Sequence, residues 1–167
     1  MKSKSFFGIF VAMATVPLVL AYLVLKMGWY TPAATNKGEF LQKEVVVKIK
    51  TETPMWSIVY QPQTQQCDSF CEEQLYGLNQ TYLALGKLQK RVNAWVLTDS
   101  LPLNNYPATK TYSANNTDLS GGYIYVIDPM GKVILRYQGS ADRDNTIKTS
   151  KDILSDLKKL LNYARMG

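Results

Sequence analysis

From residue 6 to residue 25 the chain reads FFGIFVAMATVPLVLAYLVL, apolar throughout and without a charge, which is long enough to cross a bilayer as one helix. Beyond it the pattern turns mixed. FLQKEVVVKIK (40–50) alternates weakly and predicts an early strand or hairpin arm. MWSIVYQP (55–62) is a short β-rich run stopped by proline, which reads as a buried strand. From Asp68 to Lys90 the positions Cys71, Leu75, Leu78, Tyr82, Leu85 and Leu88 recur at steps of four and three, one face of a helix. Asp68 suits its N-cap, Glu72 and Glu73 suit its first turn, and Gly86 is a soft spot within it. NAWVLTDS (93–100) predicts a second strand, and the Pro-, Asn-, Ser- and Thr-rich 101–120 a long loop. YIYVIDP (123–129) and KVILRYQG (132–139) predict a hairpin around Pro129-Met130-Gly131. A closing helix over 146–164 carries a stripe of Ile153, Leu154, Leu157, Leu160, Leu161 and Ala164, with Lys151, Lys158 and Lys159 on its solvated side.

The order strand, helix, strand, loop, hairpin, helix implies a parallel pair with a right-handed crossover, extended antiparallel by the hairpin. That is an α/β, thioredoxin-like layout: a mixed sheet with flanking helices, preceded by one transmembrane helix. The expected division is residues 1–5 as a cytoplasmic N-terminus, 6–25 as the span, 26–37 as a linker and 38–167 as the domain. Lys2 and Lys4 precede the span, so the positive-inside rule predicts a cytoplasmic N-terminus and an exported, periplasmic domain in a single-pass inner-membrane protein. Trp29 and Tyr30 fall where an interfacial aromatic belt belongs, and Pro17 is tolerated within a membrane helix. The competing reading is a secretory signal, whose apolar core is shorter than this run.

Charge and composition remove several classes of function. Of 167 residues, 46% are hydrophobic and 19% charged, enough apolar material for a packed core. The net charge of +6 is spread among acidic residues, with no basic, aromatic-interleaved stretch of the RNA-binding kind, so no nucleic-acid partner is expected. The chain contains no histidine, which excludes a histidine-based triad, a zincin motif and any imidazole metal ligand.

The candidate chemistry lies in Cys67 and Cys71, the two cysteines of QQCDSFCEEQLYGL (65–78). An i, i+4 spacing at the start of a helix places both sulfurs on one face. The helix N-terminus favours a thiolate there, whereas Asp68, Glu72 and Glu73 oppose further negative charge. A two-thiolate Cu(I) site is chemically open, because Cu(I) accepts two or three soft donors; a structural zinc site, which wants four ligands, is not. A redox pair, a structural staple and two core-packed thiols are the remaining readings. In exchange chemistry Cys67, the more exposed by its place before the helix, would attack and Cys71 would resolve.

With strand, cysteine pair and helix in order, the sequence resembles the Sco/SenC family of membrane-anchored, thioredoxin-like proteins that help assemble the copper centre of cytochrome c oxidase. The resemblance lies in the N-terminal anchor, in NKGEFLQ (36–42), in Cys67-Asp68-Ser69-Phe70-Cys71 and in YVIDPMGKVILRYQG (125–139). The chain is also similar to a bacterial group of small anchored proteins associated with oxidase assembly, through Trp56 to Tyr60, Ala84 to Lys87 and Asp156 to Leu161. The resemblance implies an assembly factor whose Cys67/Cys71 pair handles Cu(I) or the thiols that receive it, with an oxidase subunit or another assembly factor as partner. It also breaks in one place: the family's copper-ligating histidine would fall near Ser120, and Glu72 stands where many members carry a proline after the second cysteine. Met55 and Met130 are the soft third ligands on offer, although methionine more often packs. A general membrane-tethered thiol–disulfide oxidoreductase is the alternative, as is a binding module with a structural disulfide whose partner reads the 101–120 loop.

Overall fold

The computed structural model describes residues 3–29, 35–49, 51, 53–99, 101, 103–113 and 118–164. Tyr30 of the expected aromatic belt, linker positions 31–34, the end of the 40–50 run at Lys50 and Ser100 lie outside the described residues. The chain divides into two units, Met1–Thr35 and Asn36–Gly167. The first holds helix α1, Ser3–Lys26, which continues through Pro17. Within the 22 residues from Ser5 to Lys26 an 18-residue window has a mean hydropathy of 2.4, and the helix is long and apolar enough to cross a membrane.

The second unit has the expected mixed architecture. Strands β1 (Glu39–Phe40), β2 (Trp56–Gln61), β3 (Val92–Leu97), β4 (Lys110–Tyr112), β5 (Tyr123–Ile127) and β6 (Val133–Gln138) form one sheet in the order β1-β6-β5-β2-β3-β4. Helix α2 (Ser69–Ala84) crosses between the parallel strands β2 and β3, and β5 and β6 form the antiparallel hairpin. Helix α3 (Arg143–Tyr163) closes the chain beside α2.

Strand alternation sorts the core onto two faces. Trp56, Ile58 and Tyr60 of β2 meet Leu75 and Leu78 of α2 and Ile153, Leu157 and Leu161 of α3 in one buried cluster. Val59, Leu97, Tyr125 and Ile127 point the other way, where Val45, Val47 and Leu119 cover them. A register shift between Val126 and Ile127 lets Val133 join the second face while Leu135 stays on the first.

Four expectations change. The 40–50 run is mostly not a strand: only Glu39–Phe40 pairs, and Val46 adds an isolated bridge to Lys132. Its alternation is nonetheless real, because Val45 and Val47 are buried and Val46 is exposed. The 101–120 loop contains β4, a parallel edge strand whose Tyr112 meets Trp95 edge-on at 5.9 Å between ring centroids. The 68–90 helix is cut at Leu85, and a 3-10 turn, Gly86–Arg91, follows. Helix α3 starts at Arg143 rather than 146, because Asp142 caps it by accepting from the Asn145 amide at 2.9 Å.

The hairpin turn holds the covering strap against the sheet. Gly131 has φ +89° and no room for a side chain, since a Cβ there would sit 2.5 Å from the Val47 carbonyl oxygen. That close approach lets Val47 donate to the Gly131 carbonyl at 2.8 Å. Gly131→Ala combines left-handed backbone strain with a backbone collision, and should lower stability by about 2–4 kcal/mol in a denaturant titration.

Candidate functional site

The site is built where β2 hands over to α2. Gln61 ends the strand, residues 62–67 form a loop, and Asp68 caps the helix by accepting from the Cys71 amide at 2.8 Å. Cys67 therefore sits just outside the helix and Cys71 in its first turn. The two are joined as a disulfide with a Cα separation of 5.1 Å. Cys71 is 4% exposed and belongs to the helix-side core, while Cys67 is half-buried against it. The two sulfurs that spacing placed on one face are thus brought together, with unequal access.

The loop is fixed by close backbone approach from the hairpin side. Gly122 donates to the Gln61 carbonyl at 2.7 Å, and Gly139 donates to the Gly122 carbonyl at 3.1 Å. A Cβ on Gly121 would lie 2.8 Å from the Gln63 Cα and 2.9 Å from the Pro62 carbonyl oxygen. The Gln74 side-chain amide donates to the Ser140 carbonyl, and Phe70 fills the space that a Cβ on Gly139 would need. Gln74 is buried, a role its place beside the apolar stripe did not announce. The signal for it was weak, since a polar residue one step from the stripe is usually solvated.

The electrostatic picture differs from the expected one. Glu73 does not bear on the sulfurs as a free carboxylate. It is held by Arg143 in a two-pronged ion pair at 2.6 and 2.7 Å, and that guanidinium lies over the Tyr76 ring at 4.0 Å. Asp68 uses a carboxylate oxygen on the Cys71 amide, an N–H that would otherwise favour a thiolate. Glu72 remains exposed in the first turn. Burial, followed by the Asp68 charge, pushes the Tyr60 hydroxyl well above its ordinary pKa, so it stays protonated.

The proposed third copper donors fall elsewhere. Met55 immediately precedes β2, and Met130 is 76% exposed in the hairpin turn beside the start of that strand, since Ser57 pairs with Ile127. The cysteines leave from the other end of β2, about 20 Å away along six residues. Neither methionine can share a metal with them. Ser120, where the family's histidine would fall, is exposed and directly precedes Gly121 at the cysteine end; its carbonyl accepts from the Tyr125 hydroxyl at 2.9 Å. Among the described residues no group of three or more Cys, Asp or Glu side chains is arranged to hold a metal. Once the disulfide opens, the two sulfurs supply two soft donors, the minimum that Cu(I) accepts.

A family described as "Transmembrane-like, thioredoxin-like, C-terminal domain" matches residues 56–164. No curated protein matches the sequence. Among solved structures, the apo Sco1 protein from Thermus thermophilus aligns with a TM-score of 0.52 at 17% identity, covering 78% of this chain and 100% of that one. Copper-bound ScoI from Bradyrhizobium japonicum aligns at 0.44 and 16% identity, covering 64% and 85%. The thioredoxin domain of a thiol-disulfide oxidoreductase from Bacteroides vulgatus aligns at 0.40 and 12% identity, covering 77% and 100%. At these identities the likeness to Thermus Sco1 speaks for the fold, and the thioredoxin-like architecture expected from the order of elements holds.

Proposed function

Given that the chain belongs to the transmembrane-like, thioredoxin-like C-terminal domain family, we propose that it is a membrane-anchored assembly factor for cytochrome c oxidase that acts on the thiols of the oxidase copper site through Cys67 and Cys71. The observation that carries this reading is the asymmetry of the pair: one half-buried sulfur ahead of the helix, one buried sulfur in its first turn, joined to each other. Copper is ligated by thiolates and not by a disulfide, so a receiving site must first be reduced. In the reduced protein the Cys67 thiolate attacks a client disulfide, the client S–S bond breaks, and a mixed disulfide forms. The Cys71 thiolate then attacks the Cys67 sulfur. The client leaves as a dithiol, the Cys67–Cys71 bond closes, and two electrons have passed to the client.

The charge distribution supports the orientation. Lys2 and Lys4 lie ahead of the apolar run, which favours a cytoplasmic N-terminus and an exported, periplasmic domain where disulfide chemistry is permitted. Carriage of Cu(I) as cargo is the second reading, favoured by the convergence of the two sulfurs and weakened because the described residues place no third soft donor at that end. A general membrane-tethered thiol–disulfide oxidoreductase would use the same two residues without a copper-site client.

The test is a trap. In membranes carrying full-length Cys71→Ser, Cys67 can attack but nothing resolves, so a reductant-sensitive adduct with a copper-site subunit or a second assembly factor should accumulate. Adducts spread over unrelated thiol proteins would favour the general oxidoreductase. If no adduct forms with Cys71→Ser, the exchange reading fails; stoichiometric Cu(I) uptake by the reduced wild type against a chromophoric chelator would then carry the cargo reading.

A further inference from the structure

Tyr60 is the last inward-facing residue of β2 before the cysteine loop, and it is 0% exposed. Its ring belongs to the same buried cluster as Cys71, with Cys67 packed against that cluster. Yet its hydroxyl has no hydrogen-bond partner among the described residues. A buried phenol normally finds one, and leaving it unpaired destabilises the fold. The charge that acts on this hydroxyl is Asp68, the residue between the two cysteines on the helix cap, which puts the orphaned group at the cysteine end of its strand. A disulfide sulfur is a poor acceptor. Opening the bond separates the sulfurs to van der Waals contact and converts each to a thiol or thiolate, a far better acceptor for a phenolic O–H.

We infer that Tyr60 is a positioning residue for the cysteine pair: its hydroxyl is unpaired while the disulfide is closed, donates a hydrogen bond to the Cys71 sulfur once the bond opens, and so makes the pair easier to reduce. This deepens the exchange reading above and rests on it for its biological use. When a reducing thiolate attacks Cys67, the S–S electron pair leaves on Cys71, and Tyr60 stabilises that leaving thiolate while keeping its own proton. The reverse path, closure of the pair onto a client disulfide, passes through the same contact.

The experiment compares full-length wild type and Tyr60→Phe in detergent, equilibrated against a dithiothreitol redox series and quenched with a mass-tagging alkylator. The variant deletes an unpaired oxygen and nothing else, so it should fold. Its pair should need about tenfold more reductant at midpoint, about 30 mV more negative for a two-electron couple. A purely structural tyrosine would change the stability of both redox forms alike and leave this midpoint in place; a midpoint within about twofold of wild type overturns the inference. A second readout does not depend on any client. In denaturant, Tyr60→Phe should raise the stability of the oxidised chain relative to the reduced one, and equal changes in the two forms would overturn the inference equally. The exchange reading stands or falls separately, on whether the trapped adduct forms.

Discussion

Replacing Asp156 by alanine is expected to cost about 3–5 kcal/mol of domain stability, more than any single surface change, as read by denaturant unfolding of the full chain. The carboxylate is 2% exposed on the inner side of α3. It accepts from the amides of Lys37 and Gly38, from the former in a short contact and from the latter at 3.0 Å, and from the Tyr137 hydroxyl at 3.0 Å. Lys159 stands 3.4 Å from its other oxygen. Alanine would strand two backbone donors and a buried phenol at once. The segment involved is where the domain begins, so the loss would also free residues 36–38 from the helix. Asparagine keeps one acceptor oxygen without the charge and should cost distinctly less, and Tyr137→Phe only about 1 kcal/mol.

The same group makes stability depend on pH. Although burial alone would raise it, the Gly38 and Lys37 amides, the Tyr137 hydroxyl and Lys159 together hold the Asp156 carboxyl below its ordinary value of 3.8. A lowered folded-state pKa means that its contribution is complete above the ordinary carboxylate range. It is lost as the pH falls below that range toward the folded value. Burial and the neighbouring carboxylate push the Tyr137 hydroxyl up, so it remains a donor throughout. Wild type should therefore lose stability on acidification below about pH 4 more steeply than Asp156→Ala, which has little of this term left to lose. Parallel acid profiles for the two proteins would refute the assignment.

Cys67→Ser combined with Cys71→Ser is expected to separate function from folding. A disulfide that closes a loop of five residues restrains the unfolded chain by about 2 kcal/mol, less than the Asp156 cluster contributes. The double variant should therefore remain folded, with both core clusters intact. Oxidase activity and copper-centre content in membranes carrying it should nevertheless fall to the level of membranes that lack the protein. Preserved folding with unchanged oxidase would reduce the cysteines to a staple and remove both the exchange and the copper readings. Complementation by Asp156→Asn, folded but weakened, makes the useful control, because it lowers stability and leaves the sulfurs untouched.

Much of the architecture was legible because it rests on local periodicity. The step of three and four through Cys71, Leu75 and Leu78 and the β-rich run at 55–62 each report which side of an element is buried, and burial is what selects the element. The places that resisted were those where a distant partner supplied the stabilisation. Lys110–Tyr112 carries almost no strand signal of its own, and becomes β4 because Trp95 offers a neighbour for Tyr112. FLQKEVVVKIK alternates correctly, yet beyond Phe40 it builds no ladder among the described residues: Val47 donates to Gly131, Val45 accepts from Val133, and the Lys48 carbonyl accepts from the Tyr112 hydroxyl.

The sequence by itself determined the apolar helix, the strand–helix–strand unit with its hairpin, and a pair of cysteines at a helix start, because each follows from the spacing of side chains along a few turns or pleats. It also excluded imidazole chemistry outright. Only the tertiary structure decided that the sulfurs meet with unequal exposure, that Glu73 is neutralised by Arg143 from another helix, and that Met55 and Met130 lie at the wrong end of the sheet. It alone brought Asp156 to Gly38 and left unpaired the hydroxyl of Tyr60, which shares a buried cluster with Cys71. These facts depend on contacts between residues tens of positions apart, whose energies arise from burial and from who else is buried with them, and neither quantity is written into any short stretch of chain.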